Sequence, residues 1–361
     1  MDTKKVFFSS LCFFLFSILT GYQGVYGSSH HHHHHHHRHH NLYGFRPAKL
    51  FVFGDSYADT GNNKKSDGNS WKVPYGITFP GKPAGRFSDG RVLTDFIAKF
   101  FGFKSPIAYR WRNMGGKRLR NGMNFAYGGT GVFDTLVSYP NMTTQIGFLQ
   151  KLVNDSVYTK EDLQSSLTHV SVAGNDYSAY LAKGGNTGQG LQTFIMQVVS
   201  QIVIDLKRIH SMGVRKITVT ALQPLGCLPR NTVTTSFQQC NATLNTAVSF
   251  HNLLLQQAVA KLNNETKDSS FIILDLYTSF TSAIKNQTVY PESLKFETPI
   301  LKPCCMGMSN EYSCGSVDDK GVKMYAVCDN PDSAFFWDTV HPTQAGWRAV
   351  FPSLKATLQQ I

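Results

Sequence analysis

The sequence predicts one α/β domain over residues 46–361, built on a parallel β-sheet with helices on both faces. Two observations lead to this prediction. Short apolar runs alternate along the chain with longer segments in which apolar residues recur at the helical period, and strands that alternate with helices form parallel sheets covered on both sides. In addition, no Pro/Ser-rich linker, charge run or internal repeat divides this part of the chain.

The individual elements follow from the same patterns. The run from Lys49 to Phe53 is typical of a buried strand, and the segment from Leu191 to Ile209 carries an apolar face at helical spacing that Gly213 ends. Further strands are predicted at 167–172, 216–222 and 271–276, and further helices at 92–101, 244–262 and about 342–358.

Residues 1–27 are predicted to be a secretory signal peptide rather than part of the fold. Lys4 and Lys5 precede an apolar stretch from Val6 to Leu19, and Val25-Tyr26-Gly27 offers small residues where a signal peptidase cleaves. No later stretch is long and apolar enough for a membrane helix. We therefore expect a secreted, extracellular protein with no integral membrane segment in the mature chain.

Residues 28–45 form a histidine-rich segment, in which Arg38 interrupts a run of histidines from His30 to His40. Unstructured low-complexity sequence is the expectation, and a metal-chelating arm, a pH-dependent cationic arm or an engineered tag are the alternatives. Outside this segment only four histidines remain, and they are His169, His210, His251 and His341. A general base must come from this small set, and the first three are expected to be structural.

The cysteines and the glycosylation sequons agree with a secreted protein. Cys12 lies in the predicted signal peptide, and the other six cysteines predict three disulfides whose pairing the sequence does not decide. No CxxC or HExxH spacing favours zinc. Five Asn-x-Ser/Thr sequons are predicted glycosylation sites on the surface: Asn141, Asn154, Asn241, Asn264 and Asn286.

The chain is basic, with a formal net charge of +12. An excess of positive charge affects binding partners and solubility and does not indicate the fold. The densest basic patch, between Arg110 and Arg120, is expected to be a solvated loop, with an acidic glycan, a lipid headgroup or nucleic acid as alternative partners. The predicted secretory route argues against nucleic acid.

Three residue types that together activate a serine hydroxyl lie near the two ends of the predicted domain. Ser56 follows the apolar run Leu50–Phe53, so its hydroxyl is expected at the carboxyl edge of the sheet, where ligands bind in open α/β folds. Asp338 precedes His341 by three residues, so one tight turn can bring its carboxylate to Nδ1 of the imidazole. An alcohol needs such a base, and the base needs such an orienting group.

Donors for a developing oxyanion are also available in the sequence. The glycine-rich segment from Tyr127 to Gly131 can offer a backbone N–H group, and Asn175, just past a predicted strand, can offer its side-chain amide. Each of these residues also has a structural interpretation as a helix cap or a turn residue. No Gly-x-Ser-x-Gly, Gly-x-Gly-x-x-Gly or Walker motif is present, which excludes the usual nucleophile elbow and the common nucleotide-binding loops.

Taken together, the motifs resemble those of the plant secreted GDSL esterase/lipases, a family of SGNH hydrolases. The resemblance extends through nearly the whole mature chain and rests on these segments: Phe51 to Ser56 with Asp59 to Asn63, Asn124 to Gly129, Gly174 to Tyr177, Pro224 to Pro229, the pair Cys304-Cys305, and Phe336 to Thr343. Two positions depart from the family pattern. Tyr57 replaces the usual leucine after the serine, and Ala173 stands where glycine is usual.

The resemblance implies a flavodoxin-like sheet, no metal and no organic cofactor. It also implies Ser56, Asp338 and His341 as the catalytic residues, with an oxyanion hole formed by Ser56, Gly129 and Asn175. A secreted plant protein of this kind is expected in the cell wall or apoplast, with the vacuole as an alternative.

The predicted function is therefore hydrolysis of a small-molecule or polymer ester through an acyl-enzyme. A transacylase that uses the same site is the alternative, and a non-catalytic secreted protein that binds lipid or glycan is a further one. The sequence leaves acetylated polysaccharide, cutin-like polyester, glycerolipid and phenolic ester open as substrates. It leaves the oligomeric state open as well.

Overall fold

A parallel β-sheet of six strands lies at the centre of the part of the chain that the computed structural model describes, residues 44–267, 269–285 and 295–361. Its strands are β1 (Lys49–Gly54), β2 (Ile107–Ala108), β3 (Gly122–Asn124), β4 (Ser166–Ser171), β5 (Lys216–Ala221) and β6 (Phe271–Asp275). A separate antiparallel hairpin consists of β7 (Cys305–Gly307) and β8 (Tyr325–Val327). The α-helices are α1 (Leu93–Phe100), α2 (Met142–Asn154), α3 (Lys160–Gln164), α4 (Gly174–Ala182), α5 (Gln189–Ser211), α6 (Pro229–Thr232), α7 (Ala242–Thr266), α8 (Leu276–Lys285) and α9 (Gln344–Leu358).

The strand order of the sheet is that of a flavodoxin-like fold. In space the strands run β2-β3-β1-β4-β5-β6, and all of their pairings are parallel. Without the two-residue edge strand β2, the remaining strands, numbered along the chain, lie in the order 2-1-3-4-5. In sheets with this order the ligand crevice lies at the point where the strand order reverses. The predicted flavodoxin-like parallel sheet is confirmed, and β1 lies at the reversal.

Helices cover both faces of this sheet. Helix α5 packs between α2 and α7, whereas α9 packs between α1 and α8. Right-handed crossovers place the first group on one face and the second group on the other. As a result every residue from Leu50 to Phe53 is fully buried, as expected for a strand that has helices on both sides.

The four strands and four helices expected from the sequence are present, with ends within a few residues of the predicted positions. Strand β3 was not predicted, since its three residues are too few for a periodic pattern and it is defined by pairing with β1. Helix α8 begins at Leu276, which the sequence pattern had assigned to the preceding strand. The basic patch predicted as a solvated loop instead lies on two 3₁₀ helices, Tyr109–Met114 and Gly116–Asn121.

Three disulfides link the six cysteines after Cys12, as predicted. Cys227 pairs with Cys240, Cys304 with Cys328, and Cys305 with Cys314. The bridge between Cys304 and Cys328 closes the base of the β7–β8 hairpin, and the bridge between Cys305 and Cys314 ties β7 to the loop that connects the two strands.

Several sequence expectations fall wholly or partly outside the described residues. These are the signal peptide at 1–27, nearly all of the histidine-rich segment at 28–45, and the sequon at Asn286. Within the described ranges, none of the helices combines the length and apolar character needed to cross a membrane. No cluster of three His, Cys, Asp or Glu side chains in those ranges is arranged to hold a metal ion.

Candidate active site

The nucleophile candidate lies in a tight turn at the carboxyl end of β1. Gly54 adopts φ +134°, and a Cβ built there would lie 1.8 Å from the carbonyl oxygen of Ser171 on the neighbouring strand. Only glycine lets β1 pair closely with β4 and then turn away. The turn is closed by Asp55, whose Oδ1 accepts the Tyr57 N–H at 3.0 Å, so Asp55 orients the loop. Ser56 stands on this turn and is only 7 % exposed.

A second tight turn, just before α9, joins the carboxylate and the imidazole. The backbone N–H groups of Val340 and His341 both donate to Asp338 Oδ1 at 2.8 Å. Because these bonds fold the chain back, His341 Nδ1 lies 2.8 Å from both carboxylate oxygens. The other ring nitrogen, Nε2, lies 2.8 Å from Ser56 Oγ. The structure thus brings Ser56 to the Asp338–His341 pair, from which it is separated by most of the domain in the sequence.

The carboxylate of Asp338 is held in its charged form. Burial raises its pKa, but the adjacent His341 charge, the hydrogen bond from His341 and a hydrogen bond from Tyr75 outweigh burial, so the pKa of Asp338 falls below its usual 3.8. Tyr75 Oη donates to Oδ2 at 2.7 Å from a buried position. A charged Asp338 keeps the proton of the imidazole on Nδ1, which leaves Nε2 free to accept from Ser56.

The three residues suggested as oxyanion donors follow three adjacent strands. Ser56 follows β1, Gly129 follows β3, and Asn175 lies in the first turn of α4, just after β4. Within the described ranges, neither the Ser56 N–H nor the Gly129 N–H donates to another protein group. Asn175 Nδ2 uses one of its two N–H bonds on the Thr130 carbonyl at 2.9 Å, so the other remains for a ligand.

Buried polar side chains hold these loops against one another. Asp59 accepts from the N–H groups of Gly61, Asn62 and Gly128, at 2.7–3.1 Å. This carboxylate therefore ties the serine loop to the glycine-rich loop. In the sequence Asp59 was recognised only as part of a family motif, with no role assigned to it.

Gln145 and Asp176 fix the same region from the helices. Gln145 pairs with both the N–H and the carbonyl of Gly54 at 2.9 Å. Asp176 accepts from the N–H groups of Val132 and Phe133, which ties α4 to the glycine-rich loop. Neither contact has a signal in the sequence, because both depend on packing between distant segments.

Ala173, where glycine is usual in the family, adopts the left-handed region with φ +106°. It is fully buried and immediately precedes α4, which carries Asn175. A side chain in this conformation costs about 1–2 kcal/mol. The departure noted in the sequence is therefore accommodated by local backbone strain, with Asn175 still at the carboxyl edge of β4.

Two of the remaining histidines are structural, as expected. His169, within β4, and His251, within α7, are buried, and burial lowers the pKa of each ring to about 3. His251 Nδ1 lies 2.6 Å from the Tyr177 hydroxyl, and His169 Nδ1 lies 3.0 Å from Thr218 Oγ1. Both rings are neutral core groups remote from Ser56.

A cleft of about 580 Å³ opens onto His341. Its lining includes the aromatic side chains of Tyr75 and Phe87, residues between Pro229 and Phe237, the loop from Met306 to Cys314, and the turn from Asp338 to His341. Phe87 packs against the imidazole with 5.1 Å between ring centroids. The cleft is large enough for the acyl or alcohol part of an ester.

Comparison with known proteins agrees with this site. The sequence profile of the GDSL-like lipase/acylhydrolase family matches residues 50–354. Two GDSL esterase/lipases of Arabidopsis thaliana are similar to the chain. One is 59% identical over 98% of this chain and 97% of the relative, and the other is 54% identical over 89% and 91%. Acetylajmalan esterase 2 of Rauvolfia serpentina is 31% identical over 83% of this chain and 87% of that protein.

The family match covers all the residues gathered at the carboxyl edge of the sheet, and the plant relatives match almost end to end. The chain belongs to the GDSL-like lipase/acylhydrolase family and is an ester-bond hydrolase.

Proposed function

We propose that the chain is a serine carboxylesterase or lipase that works through an acyl-enzyme on Ser56. The observation that carries the proposal is the continuous chain of short contacts from Ser56 Oγ to His341 Nε2 and from His341 Nδ1 to Asp338, each 2.8 Å long. This arrangement supplies nucleophile, base and orienting carboxylate in the geometry that acyl transfer needs.

The chemical steps follow from these contacts. Ser56 Oγ attacks the ester carbonyl carbon while His341 Nε2 takes the hydroxyl proton. The tetrahedral intermediate then collapses, the bond to the leaving oxygen breaks, and His341 returns the proton to the departing alcohol. A water molecule next attacks the acyl-enzyme with His341 again as base, which releases the acid and restores Ser56.

Negative charge on the carbonyl oxygen is stabilised by three donors in this proposal. They are the Ser56 and Gly129 N–H groups and the free amide N–H of Asn175. The Asp59 and Asp176 contacts support the assignment because they fix the loops that carry these donors. Donors that are already in place need no rearrangement as charge develops.

The direct test is hydrolysis of p-nitrophenyl esters from acetyl to palmitoyl by the protein and its Ser56→Ala and His341→Ala variants. We expect turnover in the parent and at least a 10³-fold lower kcat in each variant. Thermal unfolding should stay cooperative in both variants, little changed in Ser56→Ala and shifted to lower temperature in His341→Ala, which loses the ring's hydrogen bond to Asp338. Full turnover by either variant would contradict the assigned roles. An inert parent that is folded, with its disulfides formed, would point to a binding protein, and ester formation with an added alcohol would point to a transacylase.

We further propose that the chain is secreted and glycosylated. Three disulfides support an oxidising compartment, and the sequons at Asn154, Asn241 and Asn264 are exposed, while Asn141 is half-buried. Expression in a plant or yeast secretory host should release the protein into the culture medium. The released protein should begin near residue 28 and should lose mass on treatment with an N-glycosidase. Retention inside the cell with residues 1–27 intact would contradict the proposal.

A further inference from the structure

The cleft beside His341 contains one arginine whose charge the protein leaves unpaired. Arg230, in α6, lines this cleft together with the apolar side chains Val233, Phe237 and Met306. Among the described residues that line it, Arg230 is the only lysine or arginine. No ion pair of the described ranges involves Arg230.

Arg230 is fixed from both sides of the reaction centre. Its backbone N–H donates to the Thr339 carbonyl at 3.0 Å, two residues before the catalytic imidazole in the chain. Its Nη2 donates to Ser178 Oγ at 2.6 Å, and Ser178 belongs to α4, the helix that carries Asn175. Arg230 therefore contacts the imidazole loop through its backbone and the helix of the oxyanion amide through its guanidinium.

The Ser178 contact leaves most of the guanidinium donors unused. Ser178 Oγ donates its own proton to the Gly174 carbonyl at 3.1 Å and therefore accepts from Arg230, and this contact occupies one guanidinium N–H. A guanidinium has five N–H donors in a planar fork that suits carboxylates and phosphates. Arg230 is an exposed residue, so its remaining donors are accessible from the cleft.

The nearest acidic group in the cleft is not available as its partner. Asp338 is the only acidic residue among those that line the cleft, and its carboxylate is engaged by Tyr75, Val340 and His341. A fixed cation beside apolar walls, with no internal partner, is suited to a ligand that has both an apolar part and an anionic part.

We propose that Arg230 is a substrate-binding residue that selects esters carrying a carboxylate or phosphate a few atoms from the scissile bond. The inference rests on the proposed esterase function and deepens it. The anion pairs with the guanidinium while the hydrocarbon part lies on Val233, Phe237 and Met306. Because the anion is bound equally before and during the reaction, its contribution falls on KM rather than on kcat.

The test compares matched neutral and anionic esters. Mono-4-nitrophenyl adipate and 4-nitrophenyl hexanoate have equal chain lengths and differ by a terminal carboxylate, and 1-hexanoyl glycerol 3-phosphate and 1-hexanoyl glycerol differ by a phosphate. For Arg230→Gln we expect KM for the preferred anionic ester to rise about 10-fold to 100-fold. We expect kcat to stay within about 2-fold and the neutral esters to be unaffected. The pair that shows the effect identifies the anion.

Two further variants make the outcome specific. Arg215→Gln removes the same charge at the exposed position just before β5, at the opposite edge of the sheet, and should change nothing. Arg230→Lys keeps the positive charge but lacks the planar guanidinium, so it should retain part of the preference for anionic esters.

Results that contradict the role of Arg230 can be distinguished from results that contradict the proposed esterase function. Equal KM changes for neutral and anionic esters, or an effect of Arg215→Gln as large as that of Arg230→Gln, would overturn the inference and leave the esterase assignment intact. Absence of turnover of all four esters by the unsubstituted protein would remove both.

Discussion

Tyr75 provides a quantitative test of how the structure maintains a charged carboxylate in the site. Its hydroxyl donates to Asp338 Oδ2 at 2.7 Å, and Tyr75 is 3 % exposed. In the Tyr75→Phe variant the ring keeps its packing against Trp337 and Phe87, so only the hydrogen bond is lost. Oδ2 then retains only the Nδ1–H of His341, whereas Oδ1 keeps its backbone donors.

The expected cost follows from the burial and charge of this bond. A hydrogen bond to a charged group contributes about 1.5–3 kcal/mol, and burial means that little of it is screened by solvent. We therefore expect the free energy of unfolding at pH 7 to fall by about 1.5–3 kcal/mol in Tyr75→Phe. Because the pKa of Asp338 is below 3.8, the stabilisation is fully present above that value and is lost as the pH falls through the lower folded-state pKa.

The loss of this hydrogen bond should also change the pH dependence of catalysis. A carboxylate with fewer donors is more basic and binds the imidazolium of His341 more strongly, so the acid limb of the kcat/KM profile should move to higher pH. The assays are urea unfolding with the disulfides intact and ester hydrolysis across pH 4–9.

A matched control comes from the same small core cluster. Tyr325 Oη donates to the neutral carbonyl of Val73 at 3.1 Å, so Tyr325→Phe should cost only about 0.5–1.5 kcal/mol and leave the pH profile unmoved. If Tyr75→Phe matched this control in both stability and pH profile, the charged-carboxylate reasoning would be refuted.

Three further predictions address the oxyanion donor, the cleft wall and a buried acid. Asn175→Ala should lower kcat by about 10²–10³, and loss of its bond to the Thr130 carbonyl should lower the free energy of unfolding by about 0.5–1.5 kcal/mol. A kcat within 3-fold of the parent would exclude the amide as a donor. The double variant Cys305→Ser with Cys314→Ser removes the disulfide that holds a loop lining the cleft, so KM should rise several-fold while residual turnover persists. An unchanged KM would show that the bridge does not shape the cleft. Asp205 is buried with Oδ2 unpartnered, and burial raises its pKa to about 6. Asp205→Asn should therefore raise the free energy of unfolding at pH 8 by up to about 3 kcal/mol. The gain should vanish below about pH 3, where the carboxyl is protonated in both the folded and the unfolded state. A gain independent of pH would contradict this reasoning.

The sequence pointed to the reacting groups because their signals are local. An apolar run that stops at Gly54 predicts a strand whose end presents Ser56, and the three-residue spacing of Asp338 and His341 predicts a turn that joins them. The cysteine count predicted three disulfides for a similar reason, since it depends on composition alone. The alternation of strands and helices predicted the parallel sheet, because the burial of each element is encoded in its own periodicity.

What the tertiary structure alone decided is which distant groups meet. Ser56 and His341 are 285 positions apart, and Tyr75 and Asp338 are 263 apart, so no local pattern could pair them. The disulfide partners, the short strand β3 and the position of Arg230 were undecided by the sequence for the same reason. Such contacts arise when helices pack on a twisted sheet and bring separate loops to one edge, and their energy depends on burial and distance rather than on residue spacing.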